Sequence, residues 1–535
     1  MKIKTKSGQK APVGKNKKNQ TPKQTQAEKR AVVLEVMWTK AEASAIEFFH
    51  DPQRKAYATV PVADHRETWR VRSRDFKLWV MQTLYEKLGT APKILVADIV
   101  EIFETHAICK GKELDVHVRI AERDGAVYVD LVNDRWQVLE ITPTGWRVLN
   151  ESPVKFRRAM GMAPLPYPTP GGNFQDIGRF LNIGPKSEIL LLSWLTYSLL
   201  PNHAYPIVAL AGVQGAGKST ITRALRSLID PSLAALITAP RSERDLAIAA
   251  SNTHMIAMDN LSEISPELSD SMCRVATGGS FRTRELYTND DEMIFTYRRP
   301  LIINGIEELP IRPDLLDRSV LIHVEPITEE RRRDEQTFWR DFESVRPQLL
   351  GRMLDIICTG LRQLPEVKLA SSPRMADFAR WGVAVEQALG FDAGSFMAAY
   401  QSNREDATVV AIEASPIAEA LPGFLESQDG ARFQGPALKL LDDLRSFLET
   451  RAVFEIRPEL RMLLKHPRFP KSANAMSGEI ARVEPNLKKL GITIQRGRTH
   501  AGRYIILQRT DLRADASKHI VTHIDTPQVV TTAAA

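Results

Sequence analysis

Residues 205–219 read YPIVALAGVQGAGKS, a strand-like run followed by a glycine-rich pattern. The first part, Tyr205–Ala211, has the length and apolar composition of a buried strand. The second part fits Gly-x-x-x-x-Gly-Lys-Ser, and Thr220–Ile229 then shows the patterning of a helix. A strand, a glycine-rich loop and a helix in this order predict a phosphate-binding loop in an α/β core.

Each residue type in this loop has a physical role. Glycines let backbone N–H groups turn inward around phosphates, and the helix N-terminus adds the positive end of its dipole. We expect Lys218 to reach the β- and γ-phosphates and the Ser219 hydroxyl to ligate magnesium. The predicted cofactors are therefore ATP and Mg²⁺. The predicted nucleotide-binding residues are Gly212, Gly215, Ala216, Gly217, Lys218, Ser219 and Thr220.

An acidic residue follows the next apolar run, His254–Met258, which reads as a buried parallel strand. A carboxylate at the end of such a strand completes the coordination of magnesium, so Asp259 is the second predicted metal residue. The alternative is an aspartate that only caps the following helix. Asn260 stands where a second acid usually positions the attacking water, which leaves that role open. Glu263 is nearby.

Two further strands complete the predicted core. Pro300–Ile303 ends in Asn304, and a polar side chain at this position is suited to sensing the γ-phosphate. Ser319–Val324 follows Arg318, whose guanidinium, supplied to a neighbouring subunit, would neutralise charge that develops in phosphoryl transfer. Lys218, Asp259, Asn304 and Arg318 are thus the predicted catalytic residues.

The assignment of Arg318 has two alternatives. An internal ion pair with Asp314 or Asp317 would give it a structural role only. Arg312 is the competing finger.

The order of these motifs resembles the superfamily 3 helicase-like ATPases, AAA+-related motors of phages, plasmids and viral primase-helicases. It comprises the glycine-rich loop, Asp259-Asn260, residues 277–287, Asn304 and residues 312–318. The sequence looks more closely like ATP-binding proteins of prophages and integrated elements, over most of residues 31–510. The resemblance implies a homo-oligomer, in these motors a hexameric ring, with ATP hydrolysed between subunits. This chain would share that arrangement only if Arg318 acts in trans.

In superfamily 3 helicases, a hairpin before the sensor strand grips single-stranded DNA in a central channel. The corresponding stretch here supplies the candidate contacts Arg282 and Arg284, together with Tyr287, Arg298 and Arg299. Guanidinium and aromatic groups suit backbone tracking and base stacking. The alternative is a solvated hairpin whose arginines pair with Asp290, Asp291 and Glu292.

The C-terminal part resembles a winged helix that binds duplex DNA. Three predicted helices, Pro436–Thr450, Arg461–His466 and Ser472–Leu490, precede two strands, 491–495 and 503–507. The candidate DNA contacts are Lys488, Lys489, Arg496 and Arg498, with Lys471, Arg482 and Arg503 beside them. The alternative is a winged helix that binds protein.

Charge and composition support a nucleic-acid-binding protein without a membrane span. Residues 1–30 carry nine lysines and Arg30 against one acid, and residues 461–510 carry eleven basic residues against two acids. Such concentrations of positive charge are typical of nucleic-acid contacts, although the first could equally be a solubilising tail. No apolar run approaches the roughly 20 residues of a membrane helix. Three cysteines in neither metal nor disulfide spacing favour the cytoplasm.

The expected fold class is an α/β P-loop (AAA+-like) core with an α+β N-terminal domain and a C-terminal winged-helix domain. The predicted segments are a disordered basic tail (1–30), the N-terminal domain (31–162), a Pro/Gly linker (163–173), the P-loop core (174–337), a helical region (338–430), the winged helix (431–510) and a flexible tail (511–535). Asp130 and Asp134 lack the alternate spacing of a primase metal site, so primer synthesis is not predicted. Core positions are expected for Trp69, Trp79, Trp136 and Trp146.

These observations favour an ATP-dependent DNA-binding motor, a superfamily 3-like helicase in replication of a mobile element or phage. One alternative is an AAA+-like loader or remodeller that binds DNA without unwinding it. A small-molecule kinase of the P-loop type is the other, and it explains neither Arg318 nor the basic C-terminal part.

Overall fold

The computed structural model describes residues 26–91, 93–261, 264–284, 292–305, 312–413, 415–454, 459–466, 468–499 and 502–510. Contacts divide the chain into two units. The first comprises residues 1–117 and 151–157, and the second comprises residues 118–150 and 158–535. This division differs from the boundary predicted at residue 162, because residues 118–150 belong to the second unit. Residues 1–25 of the first predicted tail, and the whole of the second, 511–535, lie outside the described residues.

The first unit is an α+β structure. Its elements are α1 (Gln26–Ala43), β1 (Glu47–His50), β2 (Ala56–Val62), β3 (His65–Arg70), α2 (Arg74–Leu88), α3 (Lys93–Cys109), β4 (Lys112–Glu113), β5 (Val116–His117) and, on return of the chain, β10 (Lys155–Phe156). A four-stranded sheet has the order β3-β2-β1-β4, and β10 pairs with β5. Residues 26–30 of the predicted tail are helical, since α1 begins at Gln26.

The core of the first unit is rich in aromatic residues. Trp38 and Phe48 stack on Phe103 with ring centroids 5.5 and 4.8 Å apart. Trp69 and Trp79 are half-buried against the same core. Both tryptophans therefore pack on the core, although neither is fully enclosed.

The second unit begins with an antiparallel meander. Its strands are β6 (Ile120–Arg123), β7 (Ala126–Asp130), β8 (Val138–Thr142) and β9 (Gly145–Leu149), paired in that order. Asp124 and Gly125, both with positive φ, form the turn between β6 and β7. Trp146 of β9 donates a 2.8 Å hydrogen bond from Nε1 to Asp355. The guanidinium of Arg158 lies 3.9 Å from the ring centroid of Trp136.

A parallel sheet forms the centre of the second unit. Its strands and the adjoining helices are α4 (Pro185–Tyr197), β11 (Ile207–Ala211), α5 (Lys218–Ile229), α6 (Glu243–Asn252), β12 (Ile256–Leu261), α7 (Pro266–Thr277), β15 (Leu301–Gly305), α8 (Pro313–Leu316) and β16 (Ser319–His323). The strand order is β12-β15-β11-β16, with all neighbours parallel. Ile237 adds a parallel bridge to Met258 outside β12.

This sheet is covered on both faces, which explains its nearly continuous apolar strands. Val208 and Leu210 of β11 face one core, which contains Trp194 of α4. Ile207 and Ala209 face the other core, which contains Met272 of α7. Successive side chains of β11 thus point to opposite faces of the sheet and pack in two different cores.

Between the second and third sheet strands in chain order, β13 (Ser280–Arg284) and β14 (Glu292–Thr296) form an antiparallel hairpin. The predicted residues Tyr287, Asp290 and Asp291 lie outside the described residues.

A helical layer follows the parallel sheet. It contains α9 (Glu335–Gln363), α10 (Ala376–Val385), α11 (Ser395–Glu413) and α12 (Pro416–Glu426). Short 3₁₀ turns occur at Phe174–Phe180, Glu329–Arg331, Leu364–Glu366 and Asp429–Ala431. Trp381 of α10 is fully buried and donates to the Thr196 hydroxyl of α4 at 3.0 Å. The layer therefore packs against the same core as the sheet.

The C-terminal part is a group of helices with a three-stranded sheet. Its elements are β17 (Arg432–Gly435), α13 (Ala437–Phe454), α14 (Glu459–Lys465), α15 (Ala473–Lys489), β18 (Ile492–Thr499) and β19 (Gly502–Arg509), with strand order β17-β19-β18. The helices and the hairpin agree with the predicted positions. Strand β17 and the contribution of α12 to the same core were not predicted.

Within the described residues, no single helix is both long and apolar enough to span a membrane. The bent pair α11 and α12 meets that test only when its two helices are taken together.

Candidate functional site

The glycine-rich loop connects β11 to α5, which begins at Lys218. Gly212, Gly215 and Gly217 have φ values of 153°, 80° and 86°, a region that favours glycine. A Cβ on Gly212 would lie 2.4 Å from the carbonyl oxygen of Val324. The backbone path of the loop, and its close approach to the segment after β16, therefore depend on glycine at this position.

The side chain of Lys218 folds back over this loop. Its Nζ donates to the carbonyl oxygens of Gly212 and Val213 at 2.6 and 2.9 Å. Burial lowers the pKa of Lys218, and the negative charge of Asp259 opposes that effect. The ammonium group is thus held at the mouth of the loop, on the side of the carboxylate.

Ser219 and Asp259 meet at the C-terminal edge of the sheet. The Ser219 hydroxyl donates to Oδ1 of Asp259 at 2.8 Å, although the two residues are distant in sequence. A hydroxyl and a carboxylate oxygen are ligands that suit Mg²⁺, which often takes one or two protein ligands and completes its shell with water and phosphate oxygens. No cluster of three or more acidic, histidine or cysteine side chains suited to a metal occurs in the described part of the chain. The pair fits magnesium bound together with phosphate.

Asn304 lies within β15 and is 2% exposed. Its Oδ1 accepts from the backbone N–H of Asn260 at 3.0 Å, and its Nδ2 donates to the Thr222 hydroxyl at 3.2 Å. The side chain therefore ties the residue after Asp259 to helix α5. The structure places the predicted sensor between the two elements that carry Ser219 and Asp259.

Asn260 has a φ of 57°, a conformation that asparagine tolerates better than most residues. Its side chain is exposed. Glu263, the other residue considered for activating water, lies outside the described residues.

Arg318 precedes β16 at the edge of the sheet. Its Nη1 donates to the carbonyl oxygen of Asp314 at 2.9 Å and contacts the Cys273 sulfur at 3.9 Å. Among the described residues, Arg318 forms no ion pair, so neither internal pair left open by the sequence occurs there. Arg312 is engaged differently, since its guanidinium pairs with Asp314 at 3.2 Å and Asp270 at 3.6 Å.

The predicted single-strand contacts fall into two groups. Arg282 and Arg284 lie on β13, opposite Ile294 and Glu292 of β14. The other two arginines bind backbone carbonyls, Arg298 that of Asn202 and Arg299 that of Ala250.

Burial also lowers the pKa of Arg299, whose guanidinium lies 5.2 Å from the ring centroid of Tyr297. The Arg299 guanidinium is thus engaged by groups of its own chain, and its contact with DNA stays a prediction.

Three of the four C-terminal candidates have partners. Lys488 and Arg496 both pair with Glu484, at 2.9 and 2.7 Å. Lys489 donates to the Thr408 hydroxyl of α11 at 3.0 Å.

The fourth candidate, Arg498, is exposed and stands directly opposite Arg503 in the β18–β19 hairpin. Like charges directly opposite each other on a hairpin are unfavourable without an anion. Arg498 and Arg503 are therefore two exposed cations side by side near the end of the hairpin.

Sequence reasoning missed a buried ion pair behind the site. Arg119 and Asp230 have side chains that are 0% and 2% exposed, and their charged groups lie 2.8 Å apart. Asp230 ends α5, and its other oxygen accepts from the N–H groups of His254 and Met255. One carboxylate thus joins the end of the loop helix to the start of the strand that carries Asp259. Sequence patterns gave no signal for it, since Arg119 lies in the distant meander.

The chain matches two models of one protein family. Residues 177–408 match AICE_RepA, the actinomycete integrative conjugative element replication protein. Residues 417–518 match the AICE RepA C-terminal domain. The two consecutive matches cover the parallel sheet, the helical layer and the C-terminal part described above. A comparison with curated proteins found no match.

Solved structures show more distant likeness. SCCmec type IV Cch, described as an active helicase, is 14% identical with a TM-score of 0.45, covering 86% of this chain and 92% of that one. The C-terminal region of NrS-1, in an A-form apo structure, is 12% identical with a TM-score of 0.37, covering 89% and 98%. At TM-scores below 0.5, neither likeness supports a conclusion about function.

Proposed function

We propose that this chain is an ATP-hydrolysing, DNA-binding motor that acts in replication of an integrative conjugative element, as a superfamily 3-like helicase. The observation that carries the proposal is the 2.8 Å contact of Ser219 with Asp259 beside a glycine-rich loop that holds the Lys218 ammonium. A cation, a hydroxyl and a carboxylate at one edge of a parallel sheet are the groups that a magnesium-bound triphosphate requires.

In this proposal, each group acts on the phosphates or their metal. Backbone N–H groups of residues 212–217 and the N-terminus of α5 bind the β-phosphate. Lys218 moves from the loop carbonyls to the β- and γ-phosphates, where its charge is compensated. Ser219 and Asp259 hold Mg²⁺, and bound magnesium would withdraw charge from the phosphate oxygens. Asn304 holds the backbone next to Asp259 in place relative to α5 through its hydrogen bonds to Asn260 and Thr222.

Arg318 has the features required of a residue that acts on a neighbouring subunit. It stands at the sheet edge with neutral hydrogen-bond acceptors, Asp314 carbonyl and Cys273 sulfur. A guanidinium placed against a transferring phosphoryl group is worth orders of magnitude in rate. Hydrolysis between subunits of a homo-oligomeric ring follows from this role.

The strand order and the family matches support the same proposal. In the sheet, β15 lies between β11 and β12. The loop follows β11, Asn304 lies on β15 and Asp259 lies on β12, so three adjacent parallel strands carry these groups. The matched family is one of replication proteins of mobile elements, which act on DNA. The β18–β19 hairpin, with Arg498 and Arg503, is the proposed contact to duplex phosphates.

The test is ATP hydrolysis with and without single-stranded DNA, combined with strand displacement on a forked duplex. We expect DNA-stimulated hydrolysis and ATP-dependent displacement, both lost in Lys218→Ala. Stimulation without displacement would instead favour a loader or remodeller. Absence of hydrolysis under all conditions would contradict the motor.

A further inference from the structure

Arg318 stands among acidic residues but forms no ion pair in the described part of the chain. Asp314 and Asp317 both lie within one helical turn of it in sequence. It donates only to neutral groups, the Asp314 carbonyl oxygen and, more weakly, the Cys273 sulfur. This is unusual for an arginine beside two carboxylates, because a guanidinium and a carboxylate form strong charge-assisted hydrogen bonds.

Other arginines pair with both carboxylates. Arg312 binds the Asp314 carboxylate, with Nε 3.2 Å from Oδ1. Arg374 and Arg404 bind the two different oxygens of Asp317. Asp317 therefore lies between two cations, Arg374 before α10 and Arg404 of α11, and each of its oxygens already accepts from one guanidinium.

Adjacent arginine and aspartate residues do pair elsewhere in the described part of the chain, in one case with a second arginine, Arg333, 4.0 Å from the other oxygen of the same carboxylate. Arg123 pairs with Asp124 at 3.3 Å, and Arg340 pairs with Asp341 at 3.1 Å. The separation of one residue is the same as that between Asp317 and Arg318. Sequence distance thus does not prevent an ion pair between Asp317 and Arg318. Asp317 instead pairs with Arg374 and Arg404.

Helix α11 is fixed to the edge of the sheet at this point. Asn403 accepts from the backbone N–H of Leu321 at 3.1 Å and donates to its carbonyl oxygen at 2.5 Å, as a neighbouring strand would. The next residue, Arg404, donates to the carbonyl oxygen of Leu316 at 2.8 Å as well as to Asp317. The helix therefore holds Arg404 at the base of the loop that carries Arg318.

We infer that Arg374 and Arg404 are positioning residues which occupy Asp317 and so keep the Arg318 guanidinium available to the phosphates of a nucleotide on a neighbouring subunit. This inference rests on the proposed role of Arg318. Without the two arginines, Asp317 binds Arg318, neutralises it and turns it away from the subunit boundary. Arg374 and Arg404 thus compete with Arg318 for the Asp317 carboxylate. This competition distinguishes their role from a purely structural one.

The test is a rescue experiment in the full-length protein. In Arg374→Gln/Arg404→Gln, we expect kcat for ATP to fall about as far as in Arg318→Ala, by roughly a hundredfold or more. Binding of a labelled ADP analogue should not change, because the glycine-rich loop is untouched. Adding Asp317→Asn removes the competing charge, so kcat should return to within about threefold of the parent, a coupling that separate structural defects would not show.

Full turnover in the double variant, or no recovery in the triple variant, would overturn the inference. Arg380→Gln is the matched control, since Arg380 of α10 donates to the Leu364 carbonyl at 2.9 Å, away from Arg318, and should leave kcat unchanged. Thermal melting checks that each variant is folded. If the double variant is not, Arg404→Gln with and without Asp317→Asn gives the same comparison with a smaller expected loss.

The outcomes separate this inference from the proposed function. An inactive Arg318→Ala together with an active double variant contradicts only the positioning role. Full activity of Arg318→Ala contradicts the finger itself, and with it the inference.

Discussion

Lys218, Ser219 and Asp259 each have a partner that fits a phosphate and metal site. The ammonium is held by loop carbonyls that a phosphate would replace, and the hydroxyl is held by the carboxylate that would share its metal. Nucleotide binding would therefore exchange these contacts for contacts with phosphate and magnesium. The local geometry of the loop was predictable because the motif defines it, whereas its chemistry stays a prediction.

Cys273 allows a test of the environment around Arg318. It is 7% exposed, and burial raises the pKa of its thiol to about 11. Cys358 is also buried with a pKa of about 11, whereas Cys109 is exposed. Alkylation requires the thiolate, and at pH 8 only about one Cys273 thiol in a thousand would be ionised.

We therefore expect iodoacetamide at pH 8 to modify Cys109 in the native protein and all three cysteines after unfolding. Mass spectrometry of the modified peptides measures this. Modification of native Cys273 as fast as Cys109 would show that the described packing next to Arg318 is wrong.

Single residues were easier to predict than their partners. Asp259 and Asn304 were singled out because each follows an apolar run in the sequence; the structure places both within the strands β12 and β15. The contact of Asn304 with Asn260 and Thr222 depends on how β15 lies between β11 and β12, which local pattern does not contain. The carboxylate partners of Arg374 and Arg404 are equally non-local, so the sequence left the pairing of Arg318 open.

At the scale of elements, the strands and helices of the parallel sheet agree with the apolar patterns that predicted them. Positions β11, β12, β15 and β16 were recognised because buried parallel strands read as continuous apolar runs. The grouping of the meander was not recognised. Its attachment to the second unit includes the buried pair of Arg119 and Asp230, which no pattern of neighbouring residues reveals.

The proline-rich segment 163–173 was predicted as a linker between domains. Within this segment, Thr169 packs closely on α9. A Cβ added to Gly351 of α9 would lie 2.0 Å from the carbonyl oxygen of Thr169. The close approach of the two backbones therefore requires glycine at position 351.

Two glycine substitutions test this packing. Gly351→Ala should destabilise the protein by about 1–3 kcal/mol, the usual cost of overpacking. Gly478→Ala, at an exposed position of α15 with nothing within 4 Å of the added Cβ, should stabilise α15 by about 0.5–1 kcal/mol through helix propensity. Thermal melting of both variants measures the difference, and a Gly351→Ala variant as stable as the parent would contradict the described contact.

At the scale of the whole molecule, α11 connects two functional parts of the second unit. Its Asn403 and Arg404 bind the edge of the parallel sheet, and its Thr408 accepts from Lys489 of α15. Ala407 and Ala411 of the same helix pack in a core beneath the sheet. A proposed DNA-binding helix and a proposed catalytic loop are therefore in contact with the same helix, α11.

The account as a whole depends on magnesium-dependent nucleotide binding at the loop between β11 and α5. The most direct measurement is titration of the full-length protein with a labelled ATP analogue, with Mg²⁺ and with EDTA. The parent should bind the analogue more tightly with Mg²⁺, Asp259→Ala should lose that gain, and Lys218→Ala should bind at least about tenfold more weakly. Equal binding by Lys218→Ala and the parent, or no binding by the parent, would contradict the account.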